Sequence, residues 1–261
     1  MLRPYRLFIV IIESAQKSLS TNFLLGVSMF VYFRACEKQE TISYVTRFQN
    51  FNKTIILKKC WLSIQKSITK NDVLILIQDG LSSSTLDWLL ANSSVPVQVF
   101  SVPTHSWELH QHTVTLIDTL KAKAEQYPEE LHYIVEDDYL HTPDALHVLR
   151  DNLLRWKGFA VPYDYPDRYS NPKPSQVIVG STCHWRTIDS STMTVLAPGH
   201  VWSHIMPLLE QAAPTSNDKV FEEVYKQIPC INPLPGVASH LTDRHHTPLV
   251  DWKMIWDNIN V

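Results

Sequence analysis

Leu131-His132-Tyr133-Ile134-Val135-Glu136-Asp137-Asp138-Tyr139 is the stretch from which the rest of the chain can be read. Leu131–Val135 has the length of a strand and few polar residues, so it suits a strand covered on both faces, as in parallel sheets. It runs without a turn residue into three consecutive carboxylates. Ligands of open α/β sheets bind at the carboxyl ends of the strands, so these acids sit where chemistry is expected.

The same pattern recurs on either side. Val73–Ile77 is a continuous apolar run that ends in Gln78-Asp79-Gly80, and Val95–Val102 reads as another strand. Between the strands lie segments with helical spacing: Ile55–Ile68, Thr85–Ala91, His112–Ala124 and, after Pro143, Ala145–Trp156. Thr41–Phe48 is β-prone and predicts the first strand. Strands alternating with helices of this length make βαβ units, which pack as a mostly parallel sheet flanked by helices. Beyond Gly158 the pattern changes. Gln176–Trp185 and Thr192–Leu196 read as the arms of a β-ribbon, followed by helices over Gly199–Gln211 and Asp218–Gln227. The expectation is one α/β domain over 39–261, with halves at 39–157 and 158–261 and an extension at 1–38.

That extension has several readings. Arg3 and Arg6 precede the apolar run Leu7–Ile12, Glu13 and Lys17 interrupt it, and a second run covers Phe23–Phe33. Neither run reaches the roughly 18–20 residues that cross a bilayer, and the charges in the middle break the pattern of a signal peptide. A strand and helix packed on the domain, a membrane-surface anchor and an extension without function stay open.

Composition narrows the classes. The 261 residues are 44% apolar, with 23 basic against 26 acidic side chains and a formal net charge of -3. That balance argues against a nucleic-acid binder that neutralises many phosphates, and the apolar content excludes a chain disordered throughout. The four cysteines, Cys36, Cys60, Cys183 and Cys230, form no C-x-x-C pair, so neither a zinc ribbon nor a thioredoxin-type site is offered. A reducing, cytoplasmic setting is the expectation, with peripheral membrane association through the N-terminus as its variant.

Three adjacent carboxylates repel one another unless a cation or donors offset the charge. A hard divalent ion with oxygen ligands suits them and can bridge to substrate phosphates. An acidic turn capping the next helix, with Asp138 or Thr142 as the cap, explains the same residues without a ligand.

His132–Tyr139 resembles the DxD element of GT-A-fold glycosyltransferases, in its EDD form, and Thr41–Ser84 resembles the opening of the family 2 enzymes of that fold. There a strand leads through a helix to a DDGS-like turn; here the turn is Gln78-Asp79-Gly80-Leu81-Ser82, with the first acid replaced and a residue inserted. The resemblance implies a GT-A domain with a nucleotide-binding half, 39–157, and an acceptor-side half, 158–261. It implies transfer of a sugar from a nucleotide-sugar donor, UDP-linked in most such families, to a hydroxyl of a glycan, lipid or protein acceptor, with inversion. Mn²⁺ or Mg²⁺ would be held by Asp138 and by His240 of Val237-Ala238-Ser239-His240-Leu241, with His245 and His246 as competitors. Arg47, Asp79, Glu136 and Asp137 would meet the nucleotide sugar. Asp218, in Ser216-Asn217-Asp218-Lys219-Val220-Phe221, resembles the carboxylate that takes the acceptor proton; Asn217 or Asp218 serving as a helix cap accounts for it equally. A helix start would keep that carboxylate charged.

Tyr163, Tyr165, Tyr169, Trp185, Trp202, Trp252 and Trp256 crowd the second half. Aromatic faces pack on sugar C–H faces, so Trp185, with His184 and Arg186, is a candidate for the donor or acceptor pocket; ordinary packing is the competing reading of each ring. Two rivals stand against the transferase. A non-catalytic nucleotide- or glycan-binding protein of the same fold is favoured by the altered turn at Gln78. A metal-dependent hydrolase built on Glu136–Asp138 and His240–His246 lacks the H-E-x-x-H pattern.

Overall fold

A computed structural model describes residues 9–10, 29–37, 51–102, 110–153, 156–180, 182–242 and 246–261. In chain order the elements are β1 (Ile9–Val10), β2 (Met29–Cys36), α1 (Lys53–Gln65), β3 (Val73–Asp79), α2 (Ser83–Ala91), β4 (Val97–Ser101), α3 (Gln111–Gln126), β5 (Leu131–Glu136), β6 (Tyr139–His141) and α4 (Ala145–Leu153). Then follow β7 (Phe159–Ala160), α5 (Asp167–Ser170), β8 (Val177–Val179), β9 (His184–Ile188), β10 (Val195–Pro198), α6 (Gly199–Ala212), α7 (Val220–Tyr225), β11 (Cys230–Leu234), β12 (Ala238–His240) and α8 (Trp252–Asp257).

Ten strands form one sheet in the order β1-β4-β3-β2-β5-β10-β7-β11-β9-β8. Its heart, β4-β3-β2-β5, is parallel, and these strands stand in the 3-2-1-4 order of a doubly wound, Rossmann-like sheet. β10 runs antiparallel to β5 and β7. β6 leaves this sheet and pairs with β12.

Side-chain alternation explains why both faces are covered. In β2, Met29, Val31, Phe33 and Ala35 face one core with Ile56, Cys60, Trp61 and Ile64 of α1. Phe30 and Tyr32 face the other, with Leu116, Ile117 and Leu120 of α3 and Trp202 of α6. Helix starts are set locally: the Asn52 side chain accepts from the Ile55 N–H, and Ser82 from the Thr85 N–H. The turn between β3 and α2 needs a positive φ, and Gly80 supplies it at 64°.

Two sequence expectations are corrected. The central strand is Met29–Cys36, so the sheet begins inside the segment assigned as an extension, and a boundary at residue 38 falls after the middle of the sheet. A strand buried on both faces is apolar at every position, and periodicity cannot tell it from a buried helix. Thr41–Phe48, expected to be that strand, lies outside the described residues. The ribbon is β8 with β9; Thr192–Leu196, expected as its second arm, leads into β10, whose residues are all buried inside the main sheet. Among the described residues no helix is long and apolar enough to cross a membrane.

Candidate active site at the carboxyl ends of β2, β3 and β5

Strand order reverses between β2 and β5, the place where open α/β sheets take their ligands, at the carboxyl ends of the strands. Parity brings Asp79, Arg34 and Glu136 to the α3 face, because Ile77, Tyr32 and Ile134, each two residues earlier, belong to the α3-side core. The first turn of α3 covers them. His112 Nδ1 stands 3.5 Å from Asp79 Oδ2, and Arg34 Nη1 donates to Thr113 Oγ1 at 3.3 Å. Arg34 Nη2 is paired with Glu136 Oε1, and Thr194 Oγ1 donates to Glu136 Oε2 at 3.2 Å. Burial pushes the Glu136 carboxyl up; Arg34 opposes the rise, while Asp138 and Asp218 add to it.

Asp138 and His240 come together through the β6–β12 pair, whose register sets His240 opposite Tyr139. His240 Nε2 lies 3.3 Å from Asp138 Oδ2, and the Leu241 N–H donates to the Asp138 carbonyl at 2.8 Å. The Tyr139 ring stacks on His240 with centroids 5.0 Å apart and planes 6° apart. Tyr139 is anchored in turn by Thr192 Oγ1 at 2.9 Å. Burial pulls the His240 imidazole down, but the charge of Asp138 and its hydrogen bond outweigh that and raise it. One carboxylate oxygen and one imidazole nitrogen are a donor pair that a borderline-hard divalent ion accepts. Among the described residues no group of three or more His, Cys, Asp or Glu is arranged around a metal position.

Asp218 stands in the turn before α7, two residues ahead of the helix. Its carboxyl is half-buried, and burial raises it, with Arg34 acting to lower it. The helix start expected to keep Asp218 charged is thus outweighed by loss of solvent. A carboxylate that holds its proton more tightly is a better general base near neutral pH.

Two expected ligand contacts turn out to be built into the protein. Asp137 accepts from the Cys36 N–H at 2.8 Å and pairs with Lys53 of α1, so both oxygens are engaged and it joins strand end to helix. Trp185 has no exposed surface and stands in the α1-side core. Trp202, Trp252 and Trp256 are likewise packed inside. Arg47 and His245 lie outside the described residues. Arg186 pairs with buried Asp164 under the Tyr169 ring, beside a cavity of about 220 Å³ between α5 and β9. Tyr165 packs edge-on against Tyr163 with centroids 4.9 Å apart; burial pushes it up to about 12, and the charges of Glu136 and Asp138 contribute.

Sequence reasoning missed Arg34, Lys53, Thr113 and Thr194. Arg34 carried a signal, as a lone cation at the end of an apolar run, but the run was read as part of an extension. The Lys53–Asp137 pair sets a test. Lys53→Met leaves a buried carboxylate without its cation and should cost about 3–5 kcal/mol; Lys53→Met with Asp137→Leu should recover most of that. Urea unfolding of the three proteins measures it, and a single-variant loss under about 1 kcal/mol would show the pair to be solvated.

No protein-family model matches the chain, and no curated protein matches its sequence. Solved structures resemble it distantly. The 4-diphosphocytidyl-2C-methyl-D-erythritol synthase of Anaerococcus prevotii DSM 20548 aligns with 79% of this chain and 86% of its own at 11% identity, TM-score 0.43. TarS of S. aureus aligns with 74% of this chain at 11% identity and TM-score 0.43, and the match spans 34% of TarS. Likenesses this distant say nothing of activity, which has to be read from the chain's own residues.

Proposed function

We propose that the chain is a metal-dependent glycosyltransferase that moves a sugar from a nucleotide-sugar donor, UDP-linked in the first instance, to an acceptor hydroxyl with inversion. One observation carries the reading: Asp138 and His240, far apart in sequence, meet beyond the end of β5, where Arg34 pairs with Glu136 and its charge also acts on Asp218. Asp138 and His240 are the groups that hold Mn²⁺ or Mg²⁺, which when bound supplies positive charge against the departing diphosphate. Glu136 lines the donor-sugar side; Asp79, buried and beside His112, is enclosed by the protein. Tyr165 offers an aromatic edge beside Glu136. Asp218 takes the proton of the attacking hydroxyl on a glycan, lipid or protein acceptor.

The test is a thermal-shift screen of nucleotide sugars with and without MnCl₂, since a ligand that binds only the folded state raises the melting temperature. A shift that needs both a donor and Mn²⁺, and that Asp138→Ala removes, is the expected result. A donor shift indifferent to Mn²⁺ in both proteins would overturn the metal role.

A non-catalytic binding protein is the second reading, and Gln78 favours it. Where a DDGS-like turn has an acid, the Gln78 amide is spent on the Ser101 hydroxyl at 2.7 Å and the Leu81 N–H at 3.3 Å. Donor binding without turnover in any acceptor mixture would select it.

A further inference from the structure

Ser216 is one of the few non-glycine residues with a positive φ, 45°, among the described residues. Left-handed backbone at a residue with a Cβ is unfavourable and persists only where surroundings impose it. Ser216 ends the 3₁₀ turn Ala213–Thr215, its N–H donating to the Ala213 carbonyl at 3.1 Å, and its side chain ties that corner to α3. Ser216 Oγ lies 2.5 Å from Thr113 Oγ1, and Thr113 is itself buried, on the first turn of α3. The same Thr113 hydroxyl accepts from Arg34 Nη1 at 3.3 Å, and Arg34 is paired with Glu136. A continuous chain of contacts therefore runs from the end of β5, through the end of β2 and the start of α3, to the corner that carries Asp218 two residues later.

We propose that Arg34, Thr113 and Ser216 form a positioning relay that sets where Asp218 stands relative to the strand ends. The proposal rests on the reading of Asp218 as the base. None of the three residues is asked to touch the acceptor. Arg34 reads the position of Glu136, Thr113 transmits it through one hydroxyl, and Ser216 converts it into a backbone turn. Asn217 finishes the corner, its side chain accepting from the Lys219 N–H at 3.2 Å. The charged groups that act on Asp218 are Arg34 from β2, Lys219 beside it, Glu222 from α7 and Glu136 at the end of β5, with which its repulsion is mutual.

Thr113→Val removes the transmitting hydroxyl at nearly constant shape, Ser216→Ala removes its partner, and Thr113→Ser restores the hydroxyl. The first readout needs no activity: the Asp218 carboxyl is titrated by NMR, its signal assigned by its absence in Asp218→Asn. Release of the corner lets water reach a carboxyl on which burial is the largest influence, so Thr113→Val and Ser216→Ala should lower its midpoint toward that of a free aspartate. Thr113→Ser should return it. The second readout is kinetic: kcat about tenfold or more lower with the donor KM unchanged, as expected when a reacting group is misplaced. Wild-type titration in both Thr113→Val and Ser216→Ala would overturn the relay. If the titration moves as expected while Asp218→Asn keeps full transfer, the relay stands and the base assignment fails.

Discussion

Asp218→Asn is expected to lower kcat by about 10²–10⁴-fold, the usual contribution of a positioned general base, while Mn²⁺-dependent donor binding stays at the wild-type level. Asparagine keeps the size of the side chain and cannot take a proton. The wild-type rate should also carry an acid limb set by Asp218. Its carboxyl is raised by burial, so activity should fall as pH drops through a midpoint above that of a free aspartate. The sign is that of a base that works only when ionised. Steady-state kinetics and the donor thermal shift measure the two halves of this expectation. Full activity in the variant would remove Asp218 from the chemistry, and loss of donor binding would place it in the donor site.

Acid should unfold the protein through two buried histidines. Burial pulls His132 and His141 down to about 4 from an ordinary 6.5. Both rings are saturated as neutral imidazoles. His132 Nε2 faces the Tyr127 carbonyl at 3.0 Å and Nδ1 faces the Tyr32 hydroxyl at 2.8 Å; His141 Nδ1 faces the Tyr139 carbonyl at 3.0 Å and Nε2 the Tyr133 hydroxyl at 2.6 Å. The nitrogen facing a carbonyl carries the proton, and the other accepts from tyrosine. Because the folded values lie below the unfolded one, the unfolded chain binds more protons between them. Stability is full above about pH 6.5 and is lost as pH falls toward 4. Each ring accounts for roughly 3 kcal/mol at the bottom of that window, and the two together for a large part of a typical total of about 5–15 kcal/mol. His240, raised by Asp138, works the other way and offsets part of the loss. Urea unfolding at pH 7 and pH 4.5 measures the drop, and His132→Gln with His141→Gln should flatten it. An equal drop in the double variant would assign acid sensitivity elsewhere.

Much of this architecture is legible in the sequence because its physics is local. Val73–Ile77 and Leu131–Val135 are short apolar runs bounded by polar turns, and α1 and α3 show helical spacing. Asp138, marked by its place at a strand end, and His240, singled out by the resemblance, do come together. What could not be read is long-range. Met29–Cys36 hides as a strand because it is buried on both faces. Val195–Pro198 enters the middle of the sheet through partners distant in sequence. Asp137 looks identical to Asp138 in the sequence; only the position of Lys53, on a helix packed against the strand ends, sends one inward and leaves the other beside histidine. Trp185 reads as a ligand-facing ring until its core neighbours are known.

The pairing of β6 with β12 bears on how the chain matures. Asp138 is synthesised roughly a hundred residues before His240, the histidine it meets, and contacts of such separation form slowly and late. Until β12 docks, an emerging chain exposes an acidic strand end with no imidazole beside it. The Asp138–His240 contact is therefore a property of the finished fold, and a product that ends before β12 lacks it.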